Sequence, residues 1–176
     1  ANIQILEYDP EEQKNHKLRW LRHYAALASG EYTQTPGAET AQQYADALDR
    51  AAEAEFAQHP GAAFVLYEQA IDVLDKHSCL AQSAQICSNY GLKLVAAGKN
   101  QDGLQMLMKA LQQYAAQYKA DPEWGKNHAD QFSYCYYNAG NAAAQAGELK
   151  LAEIAYNAAI RNFTILAREH PEEHTL

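Results

Sequence analysis

The residues of this chain that could do chemistry are its seven histidines, its carboxylates and a few asparagines inside helical patterns. His16 and His23 are two helical turns apart, about 10 Å along a helix axis, which is too far for both to bind one metal ion. His170 and His174 have the spacing of a metal-binding pair, but Pro171 lies between them in an expected acidic tail. The chain contains no glycine-rich phosphate loop, no G-x-S-x-G and no H-E-x-x-H motif. We therefore expect no catalytic residue, no metal and no other cofactor, and predict that the protein is not an enzyme.

Two asparagines recur at a fixed interval. Asn89 and Asn138 are 49 residues apart, each within a segment whose composition favours a helix. Because asparagine is only a middling helix former, its repetition needs another reason. A side-chain amide offers both a donor and an acceptor, which match a peptide backbone without reading its sequence. Two interpretations follow: the amides bind an extended ligand, or they tie neighbouring helical hairpins together.

Asn138 belongs to a stretch that predicts a helical hairpin, residues 134–160, YCYYNAGNAAAQAGELKLAEIAYNAAI. Its first half is rich in alanine, the best helix former. Gly147 suits the left-handed end of a helix, and the short connection after it turns the chain back antiparallel. The second half has apolar residues at intervals of three and four, which predict one buried face of a helix: Leu149, Ala152, Tyr156, Ala159, Ile160 and Phe163.

Gly140 lies inside the first predicted helix of this hairpin. A glycine there costs about 1 kcal/mol relative to alanine, so a packing reason is expected. We assign it to a close approach of Ala152 and its neighbours from the facing helix, with Tyr136, Tyr156 and Ile160 filling the adjoining space.

The hairpin pattern is repeated along the chain. A shift of 49 residues superimposes seven special positions: Asn89 on Asn138, Gly91 on Gly140, Gly98 on Gly147, Gly103 on Ala152, Leu107 on Tyr156, Ala110 on Ala159 and Leu111 on Ile160. A further shift of 40 places Ala63, Tyr67, Ala70 and Ile71 on the positions of Gly103, Leu107, Ala110 and Leu111. The sequence therefore predicts three hairpins.

This pattern resembles that of the tetratricopeptide repeat (TPR) family, through Tyr136, Ala139-Gly140, Gly147, Ala152, Tyr156 and Ala159. The resemblance implies an all-α fold, a short right-handed superhelical stack of helical hairpins with about seven helices in total. The repeat spacing exceeds the family's usual length of about 34 residues, which implies elongated second helices. The family's closing proline is displaced to Pro122 and Pro171.

We expect the chain to divide into an N-terminal arm over residues 1–8, a capping helix over 9–30, three hairpins over about 38–77, 78–120 and 122–170, and a tail over 171–176. Asp9-Pro10 and Asp121-Pro122 are helix start signals, Gly30 and Gly98 are expected helix ends, and Asn100 is an expected cap.

The capping helix has an apolar face of Trp20, Leu21, Tyr24, Ala25 and Ala28, and a concentration of basic residues at Lys14, His16, Lys17, Arg19, Arg22 and His23. We interpret the basic residues as a solvated outer face, with a docking surface for an acidic partner as the alternative.

In the TPR family, the first helices of the hairpins line a groove that grips a peptide or helix. The resemblance assigns this role to eight residues: Gln85, Ser88, Asn89, Leu92, Tyr134, Tyr137, Asn138 and Asn141. None of them is basic, which argues against recognition of a terminal carboxylate.

Composition narrows the classes of partner. The net charge of -8 argues against nucleic acid and anionic membranes, and no apolar run has the length of a membrane span. Cys79, Cys87 and Cys135 lie within helical patterns and form no metal-binding pair, so we predict core thiols in a reducing compartment and a cytoplasmic protein. A signal peptide cleaved before Ala1 would leave the same sequence.

From these features we expect a non-enzymatic scaffold, an adaptor or a chaperone, that binds a protein or peptide client in the groove. The alternative is a self-assembling repeat protein, with homodimers or larger oligomers stacked through Trp20 or the edge from Ile160 to Leu166. A helical bundle with a catalytic or cofactor site is a third interpretation, which lacks the inward-facing carboxylates and histidines that such a site needs.

Overall fold

The computed structural model describes residues 10–169, and all of the regular structure in this range is α-helical. The helices are α1 (Pro10–Gln34), α2 (Ala38–Phe56), α3 (Pro60–Lys76), α4 (Leu80–Ala96), α5 (Asn100–Ala120), α6 (Pro122–Asn127), α7 (Ala129–Gln145) and α8 (Leu149–Glu169). The predicted all-α class is confirmed. The expected arm, the Asp9 cap, the tail and the pair His170 and His174 lie outside the described residues.

The chain divides into two compact units, Ala1–His77 and Ser78–Leu176. In the first unit, α2 packs against both α1 and α3. The four α3 residues aligned with the other hairpins, Ala63, Tyr67, Ala70 and Ile71, are buried, and Leu74 is fully buried beside them. The first predicted hairpin, 38–77, therefore corresponds to α2 and α3 with α1 packed beside them.

Helix α1 differs from its predicted end and face. It continues through Gly30 to Gln34, because one interior glycine is tolerated and the actual barrier to helix is Pro36. Trp20, predicted to be buried, is 57% exposed and stacks on Tyr24 at 5.6 Å between ring centroids. Leu18 is buried instead, since the inward face of α1 is rotated toward Leu21, Ala25 and Ala28.

A buried carboxylate holds α1 to α2. Glu55 is 2% exposed, and Arg22 donates from one guanidinium nitrogen to its two carboxylate oxygens at 2.6 and 2.7 Å. His59 Nδ1 lies 3.0 Å from the same carboxylate. Arg22 is therefore a structural residue, because a buried carboxylate without its cation is strongly destabilising.

The second unit contains two hairpins, α4 with α5 and α7 with α8, that turn in the same way. Gly98 and Gly147 have φ angles of 78° and 80°, the left-handed conformation that glycine adopts at no steric cost. The amide after each glycine donates back to a carbonyl of the last turn, Lys99 to Leu94 at 2.9 Å and Glu148 to Ala143 at 2.8 Å. The two predicted helix ends are confirmed.

A short additional helix, α6, precedes α7. The Asp121 carboxylate accepts a hydrogen bond from the Trp124 amide at 3.0 Å, which confirms the start signal. Gly125 is buried against Tyr118, whose ring would overlap any Cβ at that position. This helix accounts for the eighth helix where about seven were predicted.

Asn100 does not cap α5 as predicted. The N-cap of α5 is Lys99, which makes no side-chain capping bond. The Asn100 amide instead donates to the Gln145 carbonyl at 3.1 Å, which ties the start of α5 to the end of α7. The unpaired carbonyls of a helix end are strong acceptors, and this one is satisfied by a neighbouring hairpin.

The packing inside the α7–α8 hairpin corrects three predicted contacts. A Cβ on Gly140 would lie 2.7 Å from ring carbons of Tyr156, so the nearest atoms belong to Tyr156, which was predicted to fill the adjoining space, and not to Ala152 itself. Ile160, predicted to fill the interior, is 62% exposed, and Leu149 is exposed as well. They lie roughly 100° around the helix from the buried face, which is formed by Ala152, Ala155 and Ala159.

The three cysteines are buried free thiols, as predicted. None of the helices within residues 10–169 is both long and apolar enough to cross a bilayer.

Candidate functional site

A surface depression of about 220 Å³ lies between α4 and α7 in the second unit. Its lining combines one side of each helix with a tyrosine from α5: Gln85, Ser88, Asn89, Leu92, Tyr114, Gln131, Tyr134, Cys135 and Asn138. Helices α4 and α7 are the first helices of their hairpins, so the depression is formed by equivalent elements of two successive repeats.

Six of the eight residues assigned from the sequence line this depression. Gln85, Ser88, Asn89 and Leu92 are on α4, and Tyr134 and Asn138 are on α7. The 49-residue repeat thus brings Asn89 and Asn138 to one site.

Tyr137 and Asn141 do not line the depression. The Asn141 side-chain oxygen accepts a hydrogen bond from the Tyr156 hydroxyl at 2.7 Å, and the Tyr137 ring lies 6.0 Å from that of Tyr156. These two residues are the repeat equivalents of Ser88 and Leu92, whose side of α4 borders the depression. The same side of α7 is turned toward α8, which explains their different surroundings.

A hydrogen-bonded chain fixes the amides on α4. The Tyr114 hydroxyl donates to the Gln85 side-chain oxygen at 3.1 Å, and the Gln85 amide donates to the Asn89 side-chain oxygen at 3.1 Å. Tyr114 therefore orients Gln85, and Gln85 orients Asn89. The inter-hairpin bond described above comes from a different asparagine, Asn100.

One aromatic and one aliphatic residue at the rim of the depression are accessible to solvent. Tyr134 is 59% exposed, with its ring at 5.0 Å from that of Phe163, and Leu92 is also exposed. A tyrosine supported on one side by another ring provides a large contact area at low entropic cost.

Neutral groups form the lining of this site. Its polar side chains are amides, hydroxyls and one thiol, with no lysine, arginine, aspartate or glutamate among them. Burial raises the pKa of the Cys135 thiol to about 12. Burial also raises the pKa of Tyr114, so both groups are protonated at neutral pH. The Cys135 thiol is consequently a poor nucleophile, and the site offers hydrogen bonds rather than charge.

The sequence did not indicate three of the lining residues, Tyr114, Gln131 and Cys135. Tyr114 comes from a second helix of a hairpin, and the family pattern assigns the groove to first helices only. Gln131 and Cys135 are on α7 but outside the positions carried over from the resemblance. Gln131 and Cys135 precede Asn138 by seven and three residues, a spacing that places them on the same side of α7 as Asn138. This spacing could have identified them from the sequence.

Within residues 10–169 no group of three histidine, cysteine, aspartate or glutamate side chains is arranged to hold a metal ion.

No protein-family model matches this chain, and no curated protein matches it. Among solved structures, the crystal structure of BtubC (BKLC) from P. vanneervenii is similar to it, with a TM-score of 0.63 and 17% sequence identity. The similarity covers 93% of this chain and 68% of that chain. At this identity it concerns the fold alone.

Proposed function

We propose that this protein is a non-enzymatic interaction scaffold, of TPR-like repeats, that binds an extended or helical segment of a client protein at the depression between α4 and α7. The observation that carries the proposal is the convergence there of Asn89 and Asn138, two amides at the same position of successive repeats.

The chemistry of the lining suits a peptide backbone. Each backbone unit presents one donor and one acceptor, and a side-chain amide provides the complementary pair. The Gln85 amide donates one hydrogen bond to the Asn89 oxygen, so Asn89 is held in one orientation before a client binds. Less conformational freedom is then lost on binding, which favours affinity.

The apolar rim adds contact area for client side chains. Leu92 and Tyr134 lie on opposite helices, and both are exposed. A client segment laid between them would cover an aromatic ring and an aliphatic side chain while its backbone meets the amides. The lack of charge in the lining favours an internal segment over a charged chain terminus.

The test is a comparison of two double variants in client capture and affinity. Asn89→Ala with Asn138→Ala should weaken client binding by about 1 to 3 kcal/mol in total, because two hydrogen bonds to the client are lost. The matched control is Asn15→Ala with Asn157→Ala, which removes two exposed amides on α1 and α8, outside the depression.

A client retained equally by both variants, with the same affinity as for the parent, would contradict the proposal. A lowered melting temperature of the Asn89/Asn138 variant without loss of affinity would instead show that the two amides stabilise the hairpins.

A further inference from the structure

The outer face of α8 combines cations with exposed isoleucines. At 100° per residue, five residues lie within a sector of about 60° of the helix circumference: Lys150, Ile154, Arg161, Ile165 and Arg168. All five are exposed, Ile154 at 63% and Ile165 at 52%. The side of α8 that packs against α7 is a different one, formed by Ala152, Ala155 and Ala159.

This face has one sign of charge. Lys150, Arg161 and Arg168 form no ion pair with another side chain within residues 11–168, the range over which side chains are described. The sector contains no carboxylate, and Glu153 lies outside it. In a chain of net charge -8, a helix face with three cations and no acid is a local reversal of the overall charge.

The face continues into a recess at its C-terminal end. Ile165 and Leu166 border a cavity of about 680 Å³ whose wall also includes Tyr118 and Phe132. Gly125 lies beneath Tyr118 and allows its ring to occupy this position. The wall also includes polar side chains, among them Glu123 and Lys126. A recess of this size accepts the anchoring side chain of a partner at its apolar part, beside Tyr118 and Phe132.

We propose that the outer face of α8 docks an acidic amphipathic helix of a partner protein. Its carboxylates pair with Lys150, Arg161 and Arg168, and its apolar side chains cover Ile154 and Ile165 and enter the recess beside Tyr118. From Lys150 to Arg168 the face is about 27 Å long at 1.5 Å per residue, which corresponds to about five turns of the partner helix. This surface is separate from the depression between α4 and α7, and its role does not depend on that of the depression.

Charge decides between this partner and two others. A second copy that paired α8 with α8 would bring the cations of both copies together, which is unfavourable. A phosphate-rich polymer or an anionic membrane would satisfy the cations, but the net charge of -8 opposes the approach of an extended anionic surface.

The experiment measures binding of two synthetic amphipathic helical peptides by fluorescence anisotropy. Both peptides have leucines on one face, and the flanking positions are glutamate in one and lysine in the other. The glutamate peptide should bind the parent protein at least about tenfold more tightly than the lysine peptide, and its binding should weaken with added salt.

Three charge reversals sharpen the test. The variant Lys150→Glu, Arg161→Glu, Arg168→Glu should lose the glutamate peptide and prefer the lysine peptide. The control variant Lys14→Glu, Lys17→Glu, Arg19→Glu makes the same change in net charge on α1 and should bind like the parent. Because all six side chains are exposed, circular dichroism should show both variants folded.

The proposal is overturned if the parent binds both peptides equally, or if the α8 and α1 variants lose binding to the same extent. It is also overturned if the parent binds phosphatidylserine vesicles at concentrations that leave the glutamate peptide free, or forms a dimer that the α8 reversals dissociate. Should the α8 variant fail to fold, the comparison of the two peptides on the parent still decides.

Discussion

The α4–α5 and α7–α8 hairpins use the same repeat position in different ways. Gly91 and Gly140 are equivalent, and each leaves room for the facing helix. In the α4–α5 hairpin the neighbours include backbone: a Cβ on Gly91 would lie 2.8 Å from the side-chain atom Leu107 Cγ, 2.9 Å from the Gly103 carbonyl oxygen and 3.2 Å from the Leu107 backbone nitrogen. In the α7–α8 hairpin, a Cβ on Gly140 would lie 2.7 Å from ring carbons of Tyr156, and its nearest neighbours all belong to that ring.

The difference shows what a repeated glycine specifies. Both hairpins need a small residue at this point, but one uses it to bring two backbones together and the other to seat an aromatic ring. A backbone cannot move without shifting a whole helix, whereas a side chain can change rotamer. The same substitution should therefore have different costs in the two hairpins.

The largest effect is expected for Gly91→Ala. Alanine is the better helix former by about 1 kcal/mol, but its Cβ would collide with the Gly103 carbonyl, so we expect a net destabilisation of about 2 to 3 kcal/mol. Urea denaturation of the parent and the variant measures this difference. A variant as stable as the parent would show that the helices separate easily, and would remove the distinction between the hairpins.

An intermediate effect is expected at high pH from Cys135, whose repeat equivalent is the non-titrating Ile86. Burial raises the thiol pKa from 9.0 to about 12, so the folded state keeps the proton that the unfolded state releases above about pH 9. Stability from this group is complete below pH 9 and falls as pH rises, by about 1 kcal/mol between pH 8 and pH 10.

The measurement is the free energy of unfolding across this pH range for the parent and for Cys135→Ala. The variant should start less stable and lose less stability as the pH rises, since every titrating group other than Cys135 is common to the two proteins. Parallel pH profiles would contradict the assignment to Cys135.

The smallest effect is expected for Gly140→Ala, which should change stability by less than about 0.5 kcal/mol. The gain in helix propensity is offset by displacement of the Tyr156 ring and strain in its hydrogen bond to Asn141. The control is the double variant Gly140→Ala with Tyr156→Leu. It introduces at position 156 the leucine that the α4–α5 hairpin has at the equivalent position, 107. If Gly140→Ala is as damaging as Gly91→Ala, the ring is as rigid as the backbone and the comparison fails.

The sequence predicted the features that arise within one helix or turn. Gly98 and Gly147 end helices because only a glycine adopts their φ without cost, and Asp121 starts one because its carboxylate reaches an amide three residues on. The 49-residue shift identified equivalent residues of two hairpins, and that was sufficient to place Asn89 and Asn138 at one site.

Features that depend on contacts between distant segments were not accessible. Arg22 and Glu55 are 33 residues apart, and a basic cluster on α1 gave no sign that one member pairs with a buried carboxylate. The hydrogen bonds from Asn100 to Gln145 and from Tyr114 to Gln85 also join residues far apart in the sequence, and they were not predicted. The exposure of Ile160 was not predicted. Apolar residues at intervals of three and four define a stripe along a helix, but they do not determine how the helix is rotated about its axis relative to the core.

The most direct test of the proposed client site is photo-crosslinking from a single position. A benzophenone amino acid in place of Tyr134 would lie at the rim of the depression, and the same amino acid in place of Trp20, which is equally exposed on α1, is the control. We expect crosslinks to a defined client segment from position 134 and none to that segment from position 20. Crosslinks to the same segment from both positions, or from position 20 alone, would contradict it.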